Sequence, residues 1–98
     1  MSRPTKLLRE LIAIPSVNPA FLPANDPRAG EQRVADFLAA AAARHGLDVE
    51  LHEVAPGRSN LLARLAATRK SRQRILLAPH LDTVGGESSG IFDPAAVI

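Results

Sequence analysis

Three features of this chain predict a fragment of an α/β fold, a mixed β-sheet with flanking helices in the order helix, helix, strand, strand, strand. Two stretches carry apolar residues at helical spacing, two more alternate apolar with polar residues, and a fifth is an unbroken apolar run. Leu7, Leu8, Leu11 and Ile12 define the first helix, and Pro15 stops it by pushing its predecessor out of the α region. From Pro15 to Pro27 there are four prolines in 13 residues, the composition of a loop. Asp26 and Pro27 read as the cap and first turn of a second helix, in which Val34, Phe37, Leu38 and Ala41 share a face until Gly46.

Leu47, Val49 and Leu51 then alternate with Asp48, Glu50 and His52, the period of a strand with one wet face. Pro56-Gly57 turns the chain into a second strand through Leu61, Ala63 and Leu65, more buried than the first. Arg69 to Arg74 places four positive charges in six positions and reads as a solvated connection. Ile75-Leu76-Leu77-Ala78 lacks alternation, as a central strand covered on both faces would. It delivers the chain to Pro79-His80-Leu81-Asp82-Thr83-Val84 and a glycine-rich loop from Gly85 to Gly90.

Composition bounds what such a piece can be. Of 45 apolar residues among 98, 17 are Ala, leaving 28 larger apolar side chains. A domain of this size buries only about two-thirds of its unfolded surface, so the chain reads as part of a larger domain. The apolar close, Phe92 to Ile98, points the same way. With no Cys, a disulfide scaffold, a thiolate zinc site and a Cys nucleophile are excluded, and any metal must sit on N and O ligands. The longest apolar stretch, Phe37 to Ala43, is seven residues against the roughly 20 of a membrane span. Glu10 interrupts the N-terminus before a signal-peptide core can form, so a soluble cytoplasmic protein without a membrane partner is expected.

The sharpest chemical signal is His80 with Asp82, two residues apart at the carboxyl end of the apolar strand, where open α/β sheets bind their ligands. A metal-binding imidazole needs its second ring nitrogen held by an acceptor, and a carboxylate two residues on can hold it. The plain alternative is a histidine satisfied by backbone carbonyls. His45 falls at the end of the second helix, where it faces the helix dipole, and His52 lies on the wet face of the first strand. Asp93 reads as the cap of a Phe-Asp-Pro turn. No aromatic residue interleaves with the basic run, so nucleic acid is not an expected partner. Gly85-Gly86 with Gly90 lacks the Lys-Ser/Thr of a phosphate loop, and no Ser sits in a Gly-x-Ser-x-Gly elbow.

Several segments together resemble one family. Leu11-Ile12-Ala13-Ile14-Pro15-Ser16-Val17-Asn18-Pro19 is similar to the N-terminal signature of the zinc-dependent aminoacylase and carboxypeptidase metallopeptidases. These include acetylornithine deacetylase, succinyl-diaminopimelate desuccinylase and glutamate carboxypeptidases. Gly30-Glu31 opening a helix that ends at Gly46, and Ser59-Asn60-Leu61-Leu62-Ala63, resemble the family's second helix and second strand. Ile75 to Val84 resembles its metal-binding strand, with Pro79 where the family usually has Gly. The resemblance covers nearly the whole chain in order.

It implies that residues 1–98 are the N-terminal portion of a metallohydrolase catalytic domain, with a lid and dimerisation domain elsewhere. It also implies a site of two zinc ions, or cobalt, sharing a water that cleaves the amide of N-acyl amino acids or small peptides. A metal pair lowers the pKa of such a water toward neutrality. His80 takes the place of a metal ligand and Asp82 that of the carboxylate orienting its imidazole, while the bridging Asp, the general-base Glu and the other ligands fall beyond Ile98. A catalytic zinc takes three protein ligands plus water, so the chain alone is expected to be inactive. The resemblance also implies a parent protein that is a homodimer through the domain this chain lacks. The alternative is a non-catalytic α/β domain or truncated relative whose sheet edge serves protein association.

Overall fold

The computed structural model describes residues 2–84 and shows a mixed α/β arrangement of two helices and a two-stranded antiparallel sheet. The loop expected over residues 85–90 and the turn at Asp93 lie outside the described residues. Helix α1 (Arg3–Ile12) begins where Ser2 Oγ accepts the Thr5 N–H at 3.3 Å, with a proline in its first turn, where no intrahelical donor is required. Its Leu11 and Ile12 are half-buried, whereas Leu7 and Leu8 remain exposed, so the apolar stripe is only partly covered.

Helix α2 (Gln32–Arg44) starts five residues later than Asp26-Pro27 predicts. The Asp26 carboxylate is engaged elsewhere: it accepts from Arg28 N at 2.9 Å, Nε at 3.0 Å and Nη2 at 2.9 Å. Residues 26–29 consequently close a turn, with Ala29 N–H on Asp26 O at 3.0 Å, and Gly30 redirects the chain at φ +95°, a left-handed conformation that favours glycine. Arg28 holds the Asp26 carboxyl down at about 2, from an ordinary 3.8. A carboxyl lowered in the folded state contributes stability above its ordinary value, and that contribution is lost as pH falls from about 5 toward 2. A carbon-detected NMR titration should therefore give Asp26 a midpoint near 2; a midpoint near 4 would show the Arg28 clasp absent in solution.

At its far end α2 closes on a Schellman motif. Leu47 N–H reaches Ala42 O and Gly46 N–H reaches Ala43 O, both at 3.1 Å, with Gly46 at φ +84°. Strand β1 (Asp48–Ala55) follows and pairs antiparallel with β2 (Arg58–Arg64), Val49 opposite Ala63 and Leu51 opposite Leu61. Pro56-Gly57 makes the turn, Gly57 at φ +70° donating its N–H to Glu53 Oε1. Helix α2 packs on both strands, and β2 is the more buried of the two, as its denser apolar pattern predicts.

The buried apolar core among the described residues is Val17, Val34 and Ala35. Ala35 is fully enclosed, at 0% exposure, so Ala35→Leu must displace its neighbours and is expected to cost about 1–3 kcal/mol, read as a lower denaturation midpoint.

The third predicted strand is not formed among the described residues: 75–78 carry no ladder, and Ile75, Leu76 and Leu77 are 89%, 79% and 83% exposed. A run covered on both faces exists only when strands flank it and layers cover it, and neither is present among these residues.

A smaller pairing replaces it. Residues 16–18 form the middle of three short parallel segments, with Val17 bridging both Ala29 and Thr83. On one side Val17 N–H donates to Arg28 O at 3.0 Å and Gly30 N–H to Val17 O at 2.8 Å; on the other Asn18 N–H donates to Thr83 O at 3.0 Å and Thr83 N–H to Ser16 O at 2.9 Å. This arrangement carries the end of the apolar run to the proline-rich loop.

Candidate functional site

His80 and Asp82 come together as their spacing predicts. The His80 ring is largely exposed, and its Nδ1 lies 2.7 Å from the Asp82 carbonyl oxygen and 3.2 Å from Asp82 Oδ1. Both neighbours are acceptors, so in the neutral ring the proton sits on Nδ1 and Nε2 keeps its lone pair. The nearer acceptor to Nδ1 is thus the Asp82 main-chain carbonyl and the farther one its carboxylate.

Asp82 is fixed from the other direction. Asn18 Nδ2 donates to Asp82 Oδ2 at 2.7 Å, and this bond, ahead of the attraction of His80, holds the Asp82 carboxyl below its ordinary value. The Asn18 amide cannot turn around, because its Oδ1 caps the short 3₁₀ turn (Pro19–Phe21) by accepting the Ala20 N–H at 2.9 Å. One side chain therefore closes the loop and grips the carboxylate.

A cleft of about 690 Å³ opens between β2 and residues 75–82, and His80, Asp82, Glu31, Arg58 and Asn60 are among the residues lining it. Arg58 Nε donates to Glu31 Oε1 at 2.9 Å, tying the start of β2 to the entry of α2. That bond, with the negative charge of Glu31 and a smaller contribution from Asp82, holds the Arg58 guanidinium above its ordinary value. Glu31 Oε2 is buried with no hydrogen-bond partner among the described residues.

The sequence offered Ser16, Asn18 and the loop to Pro27 either as cleft-lining or as a cap on the sheet, but revealed neither the grip of Asn18 on Asp82 nor the Glu31–Arg58 pair in the cleft wall. Asn18 and Asp82 are 64 positions apart and Glu31 and Arg58 are 27, and periodicity speaks only of near neighbours. The available signals were Asn18-Pro19, a turn opener with a capping side chain, and Gly30-Glu31 ahead of an apolar helix. His45 stands at the C-cap of α2, and His52 lies exposed beside Glu50 at 3.7 Å, each away from His80 along the chain.

Among the described residues no group of three or more His, Cys, Asp or Glu side chains is placed to hold a metal ion. His80 fits a metal as one ligand, its Nε2 lone pair available and its Nδ1 anchored, and a catalytic centre needs more donors than that. No described helix is long and apolar enough to cross a membrane. Compared with protein-family models, curated proteins and solved structures, the chain gives no significant match to any of them.

Proposed function

We propose that this chain is the N-terminal portion of a two-metal amidohydrolase, in which His80 Nε2 supplies one ligand to a zinc or cobalt ion. The observation that carries the reading is the Nδ1 anchoring of an exposed ring at the rim of a cleft, which leaves the ligating nitrogen free. The metals, when bound, supply an activated water for cleaving the amide of an N-acyl amino acid or small peptide. Asp82 holds the imidazole in one tautomer, and the bond from Asn18 holds the Asp82 carboxylate in place and its carboxyl below the ordinary value. The remaining ligands and the general base come from polypeptide beyond these 98 residues, as does the domain that selects substrate and pairs two copies.

The exposed Ile75, Leu76 and Leu77 support the same reading. So much apolar surface beside the cleft is surface a larger sheet would cover, which supports 75–78 as a central strand of a longer protein. The same exposure favours the second reading, a non-catalytic domain that associates through this surface. The test is hydrolysis of N-acetyl amino acids by the protein encoded with its downstream sequence and by the 98-residue chain, each with zinc and after chelation. The reading predicts chelator-sensitive turnover by the first and none by the second. Turnover by the short chain, or none by the long one, would contradict it.

A further inference from the structure

We infer that Asn18 is a positioning residue for His80, acting through Asp82, over and above its role in capping the loop. The inference rests on the proposed ligand role of His80 for its significance, and its geometry stands on the described residues alone. Three bonds give Asn18 a single pose: its N–H on Thr83 O at 3.0 Å, its Oδ1 on the Ala20 N–H at 2.9 Å, and its Nδ2 on Asp82 Oδ2 at 2.7 Å.

With Oδ2 taken, the other carboxylate oxygen, Oδ1, is left facing His80 Nδ1 at 3.2 Å. The Asp82 side chain is only partly exposed, so the position Asn18 imposes is not freely averaged by water. Were the Asn18 donor absent, the carboxylate could rotate toward solvent, leaving Nδ1 with the main-chain acceptor alone. The Nδ1–H tautomer would then lose its charge-assisted bond, and the preference that leaves Nε2 free to ligate would weaken to what the main-chain carbonyl alone supports.

Two variants separate positioning from capping. Asn18→Ser and Asn18→Asp each keep an oxygen able to cap the Ala20 N–H, but neither has a donor that reaches Asp82, and the second sets a like charge beside it. The readout is the ¹⁵N spectrum of the neutral His80 ring in the full 98-residue chain, with and without zinc, together with the Ala20 amide signal as a monitor of the cap.

The wild type should show the Nδ1–H tautomer. Both variants should lower the Nδ1–H to Nε2–H ratio about tenfold or more, the scale of one charge-assisted hydrogen bond, with the Ala20 signal unchanged. An unchanged ratio in both variants would overturn the inference. Zinc added to the wild type and to His80→Ala tests the underlying reading separately. If zinc shifts no signal that depends on His80, the ligand role fails, while the metal-free tautomer ratio still decides the role of Asn18.

Discussion

On the proposed two-metal reading, His80→Ala in the longer protein is expected to abolish most amide hydrolysis and to remove one of the two proposed metal ions, the largest effect of any single substitution in residues 2–84. The loss follows from the position of the ring. Nε2 is the one imidazole nitrogen at this rim with a lone pair free, since Nδ1 is spent on Asp82. Among the described residues no group of three or more His, Cys, Asp or Glu side chains is placed to hold a metal, so none of them takes over from the lost nitrogen. Removing one of a handful of ligands from a catalytic metal takes away both the charge that acidifies the water and the template that aims it. Metal content by elemental analysis, set beside turnover, checks the prediction. Full metal content in His80→Ala would remove His80 from the site.

Asp82→Asn should cost about 10- to 100-fold in activity or metal affinity. The structure gives a reason beyond the lost charge. An asparagine at 82 must offer its oxygen either to Asn18 Nδ2 or to His80 Nδ1–H, and its NH2 then meets the other donor. Asn18 cannot relieve the conflict by turning, because its Oδ1 is committed to Ala20 N–H. The His80 ring keeps its bond to the Asp82 carbonyl, so the ligand is loosened rather than lost, and the effect stays smaller than that of His80→Ala. Kinetics over a series of zinc concentrations check this, and wild-type affinity in Asp82→Asn would show the carboxylate to be idle.

Much of the local structure was legible in the sequence because its causes are local. The helix over Leu7 to Ile12, the stop at Gly46, the turn at Pro56-Gly57 and the alternating hairpin follow from side-chain period and glycine conformation, which neighbouring residues determine. The start of α2 was misplaced because Asp26 had two uses open to it, a helix cap and an Arg28 clasp, and the clasp took its carboxylate. The third strand reads from the sequence as central, and among the described residues nothing flanks it. His80 with Asp82 was readable because the two stand two residues apart. Asn18 could be read only as a residue of a loop that lines the cleft or caps the sheet; its grip on Asp82 was not readable, because it depends on three chain segments meeting at Val17.

The most direct test is the metal environment of the complete, zinc-loaded protein, measured by crystallography with anomalous scattering at the zinc edge. The expected result is zinc bound to His80 Nε2 at about 2.0–2.1 Å, with Nδ1 still against Asp82. A zinc-loaded structure in which the His80 ring touches no metal would contradict it.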